Sequence, residues 1–524
     1  MVQSGTEVPR GFWADLWSVA RSRRLLSVAL LSFSSGLPLG LVWIAIPAWM
    51  ARVGIDIKVI GLFTLAQAPW SFKLVWSPSM DRWPPPFLGR KRGWILVSQV
   101  ALLGLVLWLA GVSAHPEAVW VIGALALAIA FASATQDIAI DAYAVEVLRR
   151  EEHGLASGLR TSVYRVAMLV SGGASITLAA STSWAFVNLV LALLFLPMMA
   201  LAVLAPEPES LPPAPRSLRE AVWGPLLGLL AQHRAIEILA FVALYKLTDN
   251  LTQALTRPVL VQAGYNDFDV GIATGTIGMA SMIVGTLAGG VLTTRLGLGR
   301  ALWVFGIIQT VSSLGYAAVA QVGVNRPLMY AAQAFELGSS GLGTAALGVL
   351  MLRLTQKRFS ATQFSLLSSL FTLPRILSGP VAGVLADAIG WRDFFVLTLV
   401  FGVPGMLMLA HFVPWRVRNI EFEVLAPSWG APLSRKSFAA RVAAGTAASL
   451  LIGLLGLAVA HGLSSLRSGR GFTVLPALAA IVHPATIAGW TTSVGLLVMA
   501  GLGGLATAAI LVARRGLAGQ PPGE

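Results

Sequence analysis

The sequence predicts an all-α polytopic membrane protein made of two six-helix halves and two extra C-terminal transmembrane helices. Three observations predict it. The 524 residues are 56% apolar and only 11% charged, with a mean hydropathy of +0.77; a soluble domain of this size needs far more charge on its surface. Apolar runs of about 20 residues, enough to cross a bilayer, recur along the chain. Basic residues crowd into the loops of one side, as the positive-inside rule requires.

Composition also narrows the chemistry. A net charge of +14 would point to nucleic acid in a soluble protein. Here short arginine-rich loops account for it, and no nucleic-acid partner is expected. The chain has no cysteine, which excludes disulfides, thiolate metal sites and cysteine nucleophiles. The histidines His115, His153, His233, His411, His461 and His483 are scattered, and no pair has metal-ligand spacing. Neither a metal, a cofactor nor an enzymatic activity is expected, and no added soluble domain is long enough to make the chain a sensor.

Taken in order, residues 1–24 form a cytoplasmic N-terminus in which Arg21, Arg23 and Arg24 precede the first apolar run. That run is longer than the roughly 7–15 residues of a signal-peptide core and reads as a first membrane helix. The first six spans are placed at 25–50, 55–77, 94–114, 118–145, 154–181 and 183–205, giving an N-terminal bundle over 25–205. A proline- and arginine-rich loop over 206–234 forms a cytoplasmic linker. Six more spans, at 235–262, 269–294, 300–323, 327–352, 361–388 and 392–415, make a C-terminal bundle over 235–415. Residues 416–524 hold a polar stretch and two further spans at 442–463 and 487–513. With the N-terminus inside, the outer side keeps only Arg52, Lys58, Arg257, Arg326, Arg392, Arg467 and Arg470, seven of the 37 basic residues. This asymmetry puts both termini in the cytoplasm.

The loop after the second span, residues 77–94, is short, stiff and charged: Asp81-Arg82 closes one apolar segment and Gly89-Arg90-Lys91-Arg92 opens the next. Topology alone needs neither the acid nor the glycine. An acid at a helix end followed by Gly-Arg-Lys-Arg resembles the signature loop of the major facilitator superfamily. That resemblance implies the major facilitator fold and a latch on the cytoplasmic side formed by Asp81, Arg82, Gly89, Arg90 and Arg92. Six spans, a loop and six spans fit the two parallel repeats of such a transporter. Residues 290–300 are a weaker second copy that keeps the glycines and arginines without the acid.

Charges within spans are costly, about 2.5–3.5 kcal/mol each at mid-bilayer, so they face cavities and find partners. In span four, Asp137 and Asp141 are four residues apart on one helix face, and span five carries Arg160, Tyr164 and Arg165 at matching depth. These four charges can pair across neighbouring helices, or Asp141 can anchor the basic loop at Arg90 or Arg92. In span seven, Tyr245, Lys246, Asp249, Asn250 and Gln253 form a polar stripe, read either as a self-satisfied Lys–Asp pair or as a surface that touches substrate. Glu336 and Arg375 lie near mid-depth in spans ten and eleven. Lys73 reads as a snorkelling side chain. Residues 34–40, Ser-Ser-Gly-Leu-Pro-Leu-Gly, predict a kink or close packing by small residues in span one. Trp43, Trp70 and Trp76 read as interfacial anchors or as sugar-stacking platforms.

At residues 35–40, 76–94, 133–143, 244–250, 359–370 and 379–391 the runs SGLPLG, WSPSMDRWPPPFLGRKRGW, SATQDIAIDAY, LYKLTDN, FSATQFSLLSSL and GPVAGVLADAIGW resemble the AmpG-type muropeptide permeases. The resemblance covers residues 25–415. It implies a proton-driven importer of GlcNAc-1,6-anhydro-MurNAc and its peptides, a monomer in the bacterial inner membrane. Parts of the pattern also resemble acetyl-CoA transporters, the competing substrate class. For such a substrate, Gln67, Gln136, Tyr164, Tyr245, Asn250 and Gln253 offer amide and hydroxyl partners, and Lys246, then Arg165, offers a cation for its carboxylate. Asp141 and Arg160 join the gate. The coupling proton is expected on Glu336 ahead of Asp249, with Asp137 as a further candidate and Arg375 as the partner of Glu336 that moves away.

Overall fold

The computed structural model describes residues 19, 21–56, 59–60, 63–113, 119–209, 212–232, 234–415, 417–420, 422 and 433–467, with scattered positions between 493 and 511. Much of the expected span at 487–513, and residues 416, 421 and 423–432 of the polar stretch, lie outside the described residues. Two compact units emerge, one of Met1–Val222 with Ile236–Glu421, the other of Trp223–Ala235 with Phe422–Glu524.

In the first unit, nine stretches are long and apolar enough to cross a membrane: Arg23–Arg52, Arg92–Val112, Val119–Val147, Arg150–Ser181, Trp184–Leu204, Asp267–Leu296, Leu298–Val322, Arg326–Leu354 and Trp391–Phe412. They match spans one, three to six, eight to ten and twelve. Span eleven is an unbroken helix, Ser360–Ile389, richer in polar residues. Large apolar side chains such as Trp120, Leu204, Val284 and Leu407 stay exposed on these helices, as a hydrocarbon surround permits and water does not.

Spans two and seven depart from the continuous helices expected. Span two is a chain of short pieces: a 3-10 turn at Phe63–Gln67, a helix at Ala68–Phe72, a 3-10 turn at Lys73–Val75 and a helix at Ser77–Arg82. Pro69 and Pro78 sit in the first turns of the two helical pieces, where a missing N–H costs nothing but the preceding helix cannot run on. Span seven is split into Ala235–Leu244 and Leu247–Gln262. Gln309 repairs that break by donating from Nε2 to the Tyr245 carbonyl at 2.8 Å, since a released backbone carbonyl must find a donor.

The kink expected in span one is present. Its helix continues through Pro38 to Gly40, then widens into a π-helical turn at Leu41–Ala45. Close packing holds as well. A Cβ on Gly36 would stand 2.3 Å from the Tyr164 carbonyl oxygen, and one on Gly40 would stand 2.6 Å from that of Met168. Spans one and five therefore touch backbone to backbone.

The linker is not wholly a loop: residues Leu218–Leu230 form a helix. The Ser217 hydroxyl caps it by accepting from Glu220 N at 3.1 Å. In the second unit, Arg435–Arg467 is one long helix, and its Arg435–Leu455 portion is of membrane-crossing length. It meets residues 503 and 507 through small residues: a Cβ on Gly445 would meet Thr507 at 2.0 Å, and one on Gly503 would meet Ser449 at 1.8 Å.

Candidate functional site

The site has three parts: a clamp at the basic end, a buried ionic cluster in the second half, and a polar cluster in the first half.

Asp81 anchors the clamp. The expected loop acid is in fact in the last turn of the helix Ser77–Arg82, fully buried. Its Oδ1 accepts from Lys91 Nζ at 2.6 Å and from Ala361 N at 3.2 Å. Its Oδ2 accepts from Thr362 N at 2.9 Å and from Thr362 Oγ1 at 2.8 Å. Asp81 of the first half thus caps the N-terminus of span eleven in the second half, where unpaired N–H groups and the helix dipole favour an anion. Arg90 lies 3.5 Å from Asp81 and donates to the Arg358 carbonyl. Arg92 turns instead to the linker, donating to Ala205 O at 2.6 Å and pairing with Glu207. Arg82 is half-buried in the last helical turn beside Asp81. Gly89 has φ +71°, and a Cβ there would press within 3.2 Å of Glu207; both facts favour glycine.

Two clamp residues escaped the sequence reading. Lys91, inside the quoted loop, is the nearest cation to Asp81 and is buried. Glu146, at the end of span four, accepts from Ser360 Oγ at 2.6 Å and lies 3.9 Å from Arg90. An acid in the last turn of a 29-residue apolar helix was its signal. It does what was proposed for Asp141.

Asp141 does not reach Arg90 or Arg92. It pairs with Arg160 on span five and with Lys73 Nζ at 3.2 Å. Lys73 consequently does not snorkel; it is buried against that carboxylate. Asp137, one turn away, accepts from Ser35 rather than pairing with Arg165. Gln136 donates to Ser34 Oγ at 2.5 Å. Gln67 is half-buried on the 3-10 turn of span two.

In the second half, Lys246 fills the break in span seven. Its ammonium pairs with Asp249 and donates to Gln309 Oε1 at 3.1 Å, Ser340 O at 2.8 Å and Ser340 Oγ at 2.9 Å. Gln253 Nε2 reaches the same Ser340 hydroxyl at 3.3 Å, and Asn250 is half-buried beside the stripe. Tyr245 is buried, with its hydroxyl donating to Leu302 O at 3.0 Å. The self-satisfied reading of this stripe is the one the geometry carries, because the three donors of an ammonium are already outnumbered by acceptors.

Glu336 is buried, and its Oε2 accepts from Ser312 Oγ at 2.6 Å. The expected partner is elsewhere: Arg375 is exposed, its guanidinium 5.7 Å above the ring of Trp43 in the first half. Span eleven presents Arg375 across to span one, whereas Glu336 points into its own half, toward Ser312, Asp249 and Lys246. Arg165 and Tyr164 are half-buried on span five, and Arg165 Nε has no partner. Among the described residues, no group of acids, histidines or cysteines has the arrangement of a metal site.

The halves also touch through backbone. A Cβ on Gly158 of span five would meet the Thr286 carbonyl at 2.6 Å, and one on Gly290 of span eight would meet that of Gly154 at 2.7 Å. Ser157 donates to Ala345 O at 2.7 Å and Ser162 to Ile283 O at 3.0 Å. Comparison with known proteins points to the same family as the loop. Residues 28–359 match the family model described as Major Facilitator Superfamily. The chain is 41% identical over 382 residues to the anhydromuropeptide permease of Escherichia coli (strain K12), spanning 72% of this chain and 78% of that one. The chain belongs to the anhydromuropeptide permease family of the major facilitator superfamily. An uncharacterized protein of Haemophilus influenzae is 34% identical over 411 residues, covering 76% of this chain and 96% of its own length. Among solved structures, the human organic anion transporter MFSD10 aligns with a TM-score of 0.58 at 14% identity, covering 74% of this chain and 99% of that one. That likeness speaks for the major facilitator fold alone. The permease family matches about three-quarters of this chain.

Proposed function

We propose that the protein is a proton-coupled importer that carries GlcNAc-1,6-anhydro-MurNAc and its peptides from periplasm to cytoplasm by alternating access. The observation that carries this reading is the 41% identity with the Escherichia coli permease over 382 residues. The protein acts as a carrier and not as an enzyme, needs no cofactor beyond the proton gradient, and works as a monomer in the bacterial inner membrane. The basic end is the cytoplasmic face, with both termini on that side. The joining of the halves through Asp81, Glu146, Ser157 and Ser162 at that end supports an outward-facing state, closed to the cytoplasm.

Charge counting supports the coupling site. Asp249 and Glu336 share one buried cluster with a single cation, Lys246. Asp249 Oδ1 and Glu336 Oε1 each lack a partner. Two carboxylates against one ammonium become neutral by taking up one proton, and net charge is costly at this depth. Movement of span seven against span ten alters that balance, which couples proton release to conformation.

Uptake of labelled anhydro-disaccharide by cells lacking their own permease tests the substrate, with acetyl-CoA as competitor. Saturable, uncoupler-sensitive uptake that acetyl-CoA leaves untouched is expected; competition by acetyl-CoA would move the protein to the other substrate class. In the same assay Glu336→Gln is expected to abolish accumulation against a gradient while downhill exchange persists.

A further inference from the structure

With Lys246 saturated by its own half, the anionic part of a cargo needs another cation. The geometry points to a carboxylated-sugar subsite formed by Arg165 and Arg375, one guanidinium from each half, with Trp43 and Trp70 as its aromatic wall. The subsite deepens the permease reading and rests on it for the identity of the cargo.

Four observations meet here. Arg375 is exposed and stacks 5.7 Å above Trp43. Arg165 has an unpartnered Nε and lies close enough to Arg375 for the two cations to act on one another. Among the described residues, neither guanidinium is in an ion pair, in contrast to Lys73, Arg160 and Lys246 nearby. Trp43 and Trp70 meet edge to face with centroids 6.2 Å apart, and both indole Nε1 atoms are buried without a partner.

The two cations close together and the unpartnered indole N–H groups are unfavourable by themselves. Two neighbouring guanidinium groups repel. A buried N–H without an acceptor is left without the hydrogen bonds that it would make to water. An anion between the arginines removes the repulsion, because a planar guanidinium suits a carboxylate fork. A pyranose ring against the tryptophans covers their faces, while its oxygens accept from the indole N–H groups. A convergent set of cations on an aromatic wall is the ordinary make-up of a site that orients a small ligand. Since Arg375 comes from the second half and the other three from the first, such a ligand would bridge both halves.

The test measures binding of N-acetylmuramic acid and of its uncharged methyl ester to the purified full chain in nanodiscs, beside uptake of the anhydro-disaccharide in cells. The parent is expected to prefer the acid about tenfold. Arg165→Gln and Arg375→Gln should each remove that preference while leaving ester affinity within about twofold, and Arg375→Lys should keep part of it. Trp43→Phe and Trp70→Phe retain an apolar ring but lose the N–H, and should weaken acid and ester alike by about threefold to tenfold. An unchanged acid preference in both glutamine variants would overturn the subsite even if the parent transports the disaccharide. A parent that prefers the acid through these arginines yet fails to transport the disaccharide would uphold the subsite and overturn the muropeptide reading.

Discussion

Asp81 spends both carboxylate oxygens on groups of another half and another loop, so its charge, more than its shape, holds the clamp. Asp81→Asn keeps the outline and leaves Lys91 buried beside a neutral amide. Hydrogen bonds to a charged group contribute about 1.5–3 kcal/mol, so a shift of roughly tenfold to a hundredfold toward open-clamp molecules is expected. Single cysteines placed on either side can report it, in a chain with no cysteine of its own; equal labelling of parent and variant would deny Asp81 this role. Lys246 makes a different prediction now that its partners are known. Lys246→Met strands Asp249 and should destabilise the protein by about 3–5 kcal/mol, with much of that recovered in the Lys246→Met/Asp249→Leu double variant. Thermal unfolding in detergent measures both. A third residue-scale expectation concerns pH. The Arg149 hydrogen bond, with Arg24 beside it, holds the exposed Glu209 carboxyl of the linker below its ordinary value. A lowered value means that this tie persists at neutral pH and is lost only as pH falls through that lowered value, which titration of Glu209 by NMR would show.

At the scale of elements, the glycine contact between spans five and eight is a fitted surface without slack. Gly158→Val and Gly290→Val would each drive side-chain carbon into facing backbone, so the closed clamp should become inaccessible while each half stays folded. Loss of transport with near-normal thermal stability, and cysteine labelling fixed in the open-clamp pattern, are the expected results. The sequence foretold continuous spans well, because a helix of 20 apolar residues satisfies its own backbone and needs no knowledge of its neighbours. It did not foretell the breaks in spans two and seven. The split at Tyr245 depends on Gln309 and Ser340, residues 64 and 94 positions from Tyr245 and Lys246; the breaks around Pro69 and Pro78 had a local signal that the reading of spans by hydropathy passes over. The site divides along the same line. Lys246–Asp249 and Asp141–Arg160 were readable from spacing and depth, whereas Arg375 over Trp43 depends on how one half faces the other.

For the whole molecule, the relatives set an expectation. The Haemophilus influenzae protein is matched over 96% of its length by 76% of this chain, so that relative has no counterpart for most of the remainder. A chain ending after residue 421 should reach the membrane and retain uptake within about twofold; complete loss with normal membrane insertion would give the second unit a part in transport.

The clamp has one more property, which concerns sequence drift. On the first half, Asp81, Arg90, Ser157 and Ser162 contribute side chains. On the second half, most of what they grip is main chain: the amides of Ala361 and Thr362 and the carbonyls of Arg358, Ala345 and Ile283. A main-chain atom survives substitution of the residue that bears it. Mutational tolerance should therefore be lopsided, with the gripping side held nearly fixed and the gripped side free to change its side chains within helix-forming, similarly sized residues. A saturation scan of these positions scored by uptake would record the difference, and such lopsided tolerance lets the gripped half drift in sequence without loosening the hold of one half on the other.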